Sequence, residues 1–224
     1  MTRIQRETVA EKSAAMLRDR ILSGRLSPGT PVTEEAVAED LGASRATIRQ
    51  ALNTLMLDGL LTRHPTTRVL QVTTLSPEDV HDIYRARRFL ELGGVDAAAH
   101  ASTQDLERIT RAVDELENTV RSKDAPGFVH ADMRCHTEVV ALLGSQHLLA
   151  AHRHLMDKLR LVITATGTDL EAGLAEHKTF AHLLVTGAIA EARANLAARL
   201  DEAEQEVASQ AERDQASAAK TFAS

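Results

Sequence analysis

Asp132 and His136 are the residues whose types and spacing most directly indicate chemistry. They lie four positions apart, and side chains four apart on a helix project from the same face. A carboxylate oxygen and an imidazole nitrogen on one face can bind a common metal ion. His177 belongs to a later helical pattern and can meet them across a helical bundle. These three residues predict a candidate site for Zn²⁺ or a similar divalent ion.

The same three residues leave a metal-dependent enzyme open as an alternative, because a hydrolase can use an Asp/His/His site in a helical bundle. The sequence contains no HExxH, no GxSxG and no phosphate-binding glycine-rich loop. Cys135 adjoins His136, but neighbours on a helix point about 100° apart and do not form a nucleophile–base pair. Catalytic residues are therefore not predicted, and we expect a protein that is not an enzyme.

The segment of residues 44–68 has the charge and the residue types that suit contact with DNA. It contains four Arg and one acidic residue, Asp58, although the whole chain has a net charge of −6. Arg binds guanine O6 and N7 through two parallel hydrogen bonds and also pairs with phosphate. Arg45 and Arg49 lie one helical turn apart, so both are expected to face the same groove.

Apolar spacing predicts the elements that position these arginines. A first helix is expected over residues 9–23, a second after Thr33, and a third from Arg45 to about Asp58. Two short aliphatic runs, one on each side of a turn at residues 64–67, predict a two-stranded wing. Together these elements form a winged helix-turn-helix. Its predicted DNA-contacting residues are Ser44, Arg45, Thr47, Arg49, Gln50, His64 and Arg68.

A second, all-helical domain is predicted to begin at residue 76. Ser76 and Pro77 supply an N-cap and a first helical position, and Asp79 completes a capping box. Breaks with Gly or Pro then separate further helices, expected over about 103–122, 126–143, 145–166, 169–186 and 188–210. The predicted division is a DNA-binding domain at 1–73, an effector-binding and dimerisation domain at 76–210, and a disordered tail at 211–224.

The composition agrees with a mainly α protein of the cytoplasm. Aromatic residues make up 2% of the chain and Trp is absent, which favours helices that pack through small residues. Cys135 is the single cysteine and cannot form an internal disulfide. Apolar runs fall short of the ~20 residues that a membrane span needs, and the N-terminus lacks a signal-peptide pattern. We therefore expect a cytoplasmic location and no membrane partner.

Both domains resemble the GntR family of bacterial regulators, and the resemblance covers all but about the last fifteen residues. The first domain carries Ile21-x-x-Gly24, Pro28-Gly29, Ala38-x-x-Leu41-Gly42-x-Ser44-Arg45, Arg49-x-Ala51-Leu52-x-x-Leu55 and Gly59-Leu60. The second resembles the helical FCD-type effector domain of the FadR-like subgroup through Asp82-Ile-Tyr, Arg87-x-x-Leu90-Glu91, Asp132-x-x-x-His136 and Glu176-His177. The sequence departs from the family at Ala46, usually Pro, and at Thr66 and Thr67, where the wing has Gly.

The resemblance implies a transcriptional regulator, commonly a repressor, that responds to a small acidic metabolite. Its partner is then a double-stranded DNA operator. One winged helix buries little DNA surface, so specific affinity normally comes from two modules on a two-fold related site. A homodimer on a palindromic operator is therefore expected.

The resemblance also implies a metal held by one Asp and three His in the second domain. Asp132, His136 and His177 match three of these ligands, but Arg199 stands at the fourth position. Arg cannot bind a metal and carries a permanent positive charge. In one interpretation the three residues still hold Zn²⁺. In a second, Arg199 is the cationic centre and pairs with the anionic effector or with Asp132; in a third, Arg199, Asp132 and His136 form an ordinary buried ion pair without a ligand.

Arg87 matches an inward-facing Arg of the family on the first long helix of this domain. It either binds a carboxylate of the effector or forms an i, i+4 ion pair with Glu91. The residues predicted to bind the effector are Arg87, Asp132, His136, His177 and Arg199.

Overall fold

The computed structural model describes residues 7–163 and 169–221, with the side chains of 217–221 outside the description. It divides into two compact units, Met1–Thr74 and Leu75–Ser224. Within the described residues the chain is helical apart from loops and one small sheet. The predicted fold class, mainly α with a small β-wing in the first unit and an all-α second unit, is confirmed.

Three helices of the first unit follow from local capping signals. They are α1 (Val9–Leu22), α2 (Glu34–Leu41) and α3 (Arg45–Leu57). Ser44 is the N-cap of α3, because its hydroxyl accepts a hydrogen bond from the Thr47 amide at 3.2 Å. Gly42 ends α2 with φ of 61°, a left-handed conformation that strains other residues. This turn lets α3 follow α2 closely.

The wing consists of β1 (Leu61–Arg63) and β2 (Leu70–Val72), paired antiparallel with Leu61 opposite Val72. Each strand is two residues shorter than the aliphatic run that predicts it, residues 59–63 for β1 and 68–72 for β2. Gly59, with φ of 72°, still belongs to the turn that leaves α3. At the tip, Arg68 takes a φ of 61°, so Arg, and not Gly, occupies the left-handed position of this wing.

One face of α3 is fixed by the core of the first unit. Its apolar residues recur every three or four positions and are fully or almost fully buried: Ile48, Ala51, Leu52 and Leu55. Helix α3 packs against α1 and β1, which contribute the buried residues Leu17, Ile21 and Leu61. The opposite face of α3 is therefore left to solvent.

The second unit is built from helices that pack around one apolar core. They are α4 (Pro77–Ala97), α5 (Thr103–Ser122), α6 (Ala125–Ala141), α7 (Gln146–Leu159), α8 (Leu170–Val185) and α9 (Ile189–Thr221), with a 3₁₀ turn at Ala98–His100. A capping box begins α4 at Ser76, as the sequence predicts, and another begins α5 at Ser102. Among the described residues, no helix is long and apolar enough to cross a membrane.

Helices α4 and α6 approach each other most closely at Gly94. A Cβ atom added to Gly94 would lie 2.3 Å from the carbonyl oxygen of Val139, so a larger residue has no room there. Glu91 and His136 lie one turn before these two residues on their respective helices. The close approach therefore brings the side chains of Glu91 and His136 within reach of each other.

The disordered tail predicted at residues 211–224 is corrected up to Thr221, where α9 ends; the side chains of 217–221 and all of residues 222–224 lie outside the description. Four of the eleven residues 211–221 are Ala, which favours helices. Ala211, the first residue of this extension, is buried against the core, so packing also stabilises its start. The helix expected over 145–166 is also shorter: α7 ends at Leu159, and residues 164–166 lie outside the description.

Candidate functional site

The residues predicted to contact DNA lie along the N-terminal half of α3. Arg45, Arg49 and Gln50 are exposed, and Thr47 is partly exposed, on the side away from the buried Ile48. Arg45 and Arg49 are one turn apart, as predicted. Ser44 is exposed too, but its hydroxyl caps the helix and lies 2.8 Å from the Thr47 hydroxyl. The structure thus brings two guanidinium groups together on one solvent-facing surface.

Both guanidinium groups are paired with carboxylates from the first turn of α2. Arg49 donates from Nε to Glu34 Oε1 at 2.8 Å and from Nη2 to Glu34 Oε2 at 2.9 Å. Arg45 forms an ion pair with Glu35. The hydrogen bonds from Arg49 lower the pKa of Glu34, and those to Glu34 raise the pKa of Arg49. Sequence reasoning missed Glu34 and Glu35, because the arginines alone fit the motif.

The wing residues His64 and Arg68 differ in how they are held. His64 Nδ1 accepts hydrogen bonds from the amides of Thr66 and Thr67 at 3.2 and 3.1 Å, so its ring stabilises the turn. Arg68 is exposed, and its carbonyl accepts a hydrogen bond from Arg63 Nη1 at 3.3 Å. His64 therefore has a structural role in the wing besides any contact with DNA.

The second unit contains a cavity of about 430 Å³ lined by residues of α4, α6, α8 and α9. Four of the five residues predicted to bind the effector line it, namely Arg87, Asp132, His136 and Arg199. His177, the fifth, lies beside it and contacts Asp132. The lining also includes apolar side chains such as Phe128 and Val162 and acidic ones such as Glu202 and Glu206. The predicted effector residues are thus gathered in one place.

Asp132, His136 and His177 are as close together as the sequence predicts. One potential ligand atom from each lies within 4.8 Å of the others. Asp132 Oδ1 is 3.1 Å from His177 Nε2, and Asp132 Oδ2 is 4.0 Å from His136 Nε2. Burial alone would raise the pKa of Asp132, but His177, His136 and Arg199 together lower it well below its usual range. Asp132 is therefore an ionised acceptor at neutral pH.

Arg199 occupies the remaining side of this cluster. Its Nη2 lies 3.2 Å from His177 Nδ1 and 3.5 Å from His177 Nε2, and its Nε pairs with Glu176 at 3.1 Å. Its Nη1 is buried and finds no hydrogen-bond partner among the described residues. A buried donor without an acceptor is unfavourable, so this atom suits an acceptor atom of a bound molecule.

Glu91 is a buried carboxylate that contacts three side chains beside the cluster. Sequence reasoning identified it only as a partner of Arg87. Its Oε1 accepts from Arg87 Nε at 2.7 Å and lies 3.0 Å from His152 Nε2, and its Oε2 lies 2.7 Å from His136 Nδ1. Burial would raise the pKa of Glu91, but Arg87, His136 and His152 lower it well below its usual value. The i, i+4 pair of Arg87 with Glu91 is therefore present, although Arg87 also lines the cavity.

The donors of this cluster suit a metal ion only in part. Asp132, His136 and His177 offer three ligands, which is the number found in open Zn²⁺ sites. A divalent ion about 4 Å from the Arg199 guanidinium would be repelled by about 8 kcal/mol at an effective dielectric near 20. Arg199 Nη2 lies 3.5 Å from His177 Nε2, the ring nitrogen that contacts Asp132. The residues present fit a bound anion better than a metal ion.

Comparisons with known proteins agree with both units. Residues 9–69 match the family described as bacterial regulatory proteins, gntR family, and residues 82–202 match the FCD domain. An HTH-type transcriptional regulator of Agrobacterium vitis is 30% identical over 131 residues, covering 56% of this chain and 75% of that protein. The gluconate operon transcriptional repressor of Bacillus licheniformis is 24% identical over 153 residues, covering 68% and 62% respectively.

A solved structure supports the same assignment. The transcriptional regulator GntR from Rhodococcus sp. RHA1 superposes with a TM-score of 0.78 at 25% identity, covering 88% of this chain and 96% of that one. The FCD match alone spans more than half of the chain. The chain therefore belongs to the GntR family of bacterial regulatory proteins and is a transcriptional regulator with an FCD domain.

Proposed function

We propose that the protein binds a palindromic operator as a homodimer, with α3 of each copy in the major groove. The observation that carries this proposal is the pair of exposed guanidinium groups of Arg45 and Arg49 on the face of α3 opposite its buried residues. Arg is the side chain that binds guanine through two hydrogen bonds. Thr47 and Gln50 lie on the same stretch and suit phosphates or base edges.

A homodimer is proposed because one recognition helix contacts few base pairs. Two winged helices related by a two-fold axis contact two half-sites and thereby reach the affinity that specific regulators need. The FCD unit, which is larger than the DNA-binding unit, is the part proposed to join the two copies and to hold the effector. A repressor role is favoured by the relative that is named a gluconate operon transcriptional repressor.

The proposed effector is a small acidic metabolite that binds in the cavity of the second unit. The unpartnered Nη1 of Arg199 suits a carboxylate oxygen, and Arg87 lines the same cavity. Glu202 and Glu206 also line it and would repel a second negative charge. A monocarboxylate or a zwitterion therefore fits better than a polycarboxylate.

Effector binding is proposed to shift the dimer between two arrangements that differ in operator affinity. A ligand can do this only if it binds one arrangement more tightly than the other. The carboxylate would supply the hydrogen-bond acceptor that Arg199 Nη1 lacks, while Arg199 Nε pairs with Glu176 on α8. Because Arg199 belongs to α9 and Arg87 to α4, a carboxylate bound by both would connect two helices of the unit.

A metal-dependent enzyme is the second candidate, because Asp132, His136 and His177 place three potential ligands within 4.8 Å. The guanidinium of Arg199 opposes it through charge repulsion with a divalent ion. The names of the relatives describe regulators of transcription. Hydrolytic turnover by the purified protein with added Zn²⁺, lost on Asp132→Ala, would favour the enzyme.

The proposed function is tested by selection of DNA sequences from a randomised duplex library with the full-length protein. We expect enrichment of an inverted repeat, and light scattering coupled to gel filtration should give twice the mass of one chain. A library that stays random after selection, with a folded protein, would refute operator binding. A panel of monocarboxylates, dicarboxylates and amino acids, screened by thermal shift and then by mobility shift on the selected duplex, tests the effector.

A further inference from the structure

The ion pair between Glu34 and Arg49 has a geometry that bears on sequence recognition. Glu34 is the first residue of α2, and both of its carboxylate oxygens are engaged by one edge of the Arg49 guanidinium, at 2.8 Å to Nε and 2.9 Å to Nη2. Two parallel hydrogen bonds fix the orientation of a guanidinium more strictly than a single contact does. Arg45 has one contact with Glu35, so its orientation is less constrained.

The carboxylate leaves the other edge of Arg49 available. A guanidinium has five N–H donors, and Glu34 accepts from two of them. The three that remain belong to Nη1 and Nη2, which form the end of the side chain. Two parallel donors at that end match the O6 and N7 acceptors of guanine. The side chain of Arg49 is 65% exposed, so this end is accessible to a groove of DNA.

We propose that Glu34 is a positioning residue that orients Arg49 to bind guanine end-on, and that it thereby sets the sequence specificity of α3. The inference rests on the proposed operator binding. Neither the DNA-contacting set predicted from sequence nor the family match assigns a role to Glu34.

Glu34 is expected to change affinity for the operator sequence and affinity for other DNA in opposite directions. A long Arg side chain loses conformational freedom when it binds a base, and a side chain that is already oriented loses less. A carboxylate beside the groove also weakens attraction to phosphates, which dominate non-specific binding. Glu34 therefore strengthens binding to the correct sequence and weakens binding to all others.

The test compares affinity for two duplexes, the one selected by the wild-type protein and a shuffled duplex of the same composition. In Glu34→Ala we expect affinity for the selected duplex to fall and affinity for the shuffled duplex to rise. The ratio of the two should fall roughly tenfold, which is within the range for loss of one bidentate base contact. Glu34→Gln keeps one carbonyl acceptor, so its ratio should lie between those of the wild type and Glu34→Ala.

Glu39→Ala is the matched control. Glu39 is an exposed glutamate of the same helix, and within the described part of the chain its side chain makes no hydrogen bond or ion pair. Its removal changes the net charge by the same amount, so affinity for both duplexes should rise by the same factor. In Arg49→Ala, the further change Glu34→Ala should leave the ratio unchanged, because Glu34 acts through Arg49.

Equal gains in affinity for both duplexes in Glu34→Ala would overturn the proposal, since they would show a carboxylate that merely repels DNA. Unchanged affinities for both, with circular dichroism melting that matches the wild type, would overturn it as well. These outcomes differ from failure of the proposed function, in which the wild-type protein itself selects no sequence.

Discussion

His136 Nδ1 lies 2.7 Å from Glu91 Oε2, and both side chains are buried. A carboxylate can only accept, so Nδ1 carries the proton of the imidazole. Burial lowers the pKa of His136, although the adjacent Glu91 acts to raise it. Because the net shift is downward, the ring is neutral at pH 7. The lone pair of His136 is therefore on Nε2 and points to the Asp132 side of the cluster. Glu91 on α4 thus fixes the tautomer of the His136 ring on α6.

The first prediction concerns this carboxylate. Glu91→Gln should lower the free energy of unfolding by about 3–5 kcal/mol, because it leaves the buried Arg87 charge without a counter-ion. Urea unfolding at pH 7, followed by circular dichroism, measures the change. Glu107→Gln is the control, since Glu107 and Arg111 form an i, i+4 pair on the exposed surface. Equal losses in the two variants would show that Glu91 is no more than an ordinary ion-pair partner.

The second prediction tests how α4 is placed. Gly94→Ala should lower the free energy of unfolding by about 1–3 kcal/mol, because the new Cβ would lie 2.3 Å from the Val139 carbonyl oxygen and push α4 away from α6. Gly93→Ala is its control: a Cβ there would be 3.6 Å from Leu143, an ordinary contact, and Ala favours the helix. We expect Gly93→Ala to be neutral or stabilising. A stabilised Gly94→Ala would contradict the close approach.

The third prediction concerns α3. Arg49→Ala should weaken binding to the selected duplex by about 10- to 100-fold and broaden the sequences that the protein accepts, as expected for loss of a bidentate base contact. Titration in a mobility-shift assay measures the first effect, and a repeat of the selection measures the second. Arg25→Ala removes an equal charge from the exposed surface of the same unit and should preserve the preferred sequence. The same preferred sequence in Arg49→Ala would mean that Arg49 contacts only phosphate.

Local signals made the fold largely predictable from sequence. The Ser44 cap, the apolar spacing of α3 and the capping boxes at Ser76 and Ser102 act within a few residues of one another, so the sequence alone reveals them. The tail was mispredicted because its polar composition suggests disorder. The contact of Ala211 with the core, which stabilises the start of this segment, is tertiary and has no local signature.

The residues of the candidate site could be predicted from the sequence, but the hydrogen bonds that join them to the rest of the unit could not. Spacing and resemblance identified Asp132, His136 and His177. They did not reveal that Glu91 joins His136 to His152, because that contact spans 61 positions of the chain. The pairing of Arg49 with Glu34 was also missed, because the two residues belong to different helices and meet only when those helices pack. Long-range polar contacts of this kind need the packed structure.

The last prediction separates the interpretation in which the cluster holds a metal ion from those in which Arg199 takes its place. Dialysed wild-type protein should carry no stoichiometric metal by inductively coupled plasma mass spectrometry, because the Arg199 cation lies 3.5 Å from His177 Nε2. Arg199→His removes that charge and adds a fourth donor beside Asp132, His136 and His177, a set that suits tetrahedral Zn²⁺. This variant should bind about one Zn²⁺ per chain and melt at a higher temperature when Zn²⁺ is added. Arg199→Gln removes the charge without a new imidazole and should gain less affinity for Zn²⁺.

Metal in the wild-type protein that is lost in Asp132→Ala would show that the site tolerates the guanidinium, and the effector would then bind through the ion. If neither the wild type nor Arg199→His binds Zn²⁺, Arg199 is not what excludes the metal, and the spacing of the three other ligands must exclude it instead.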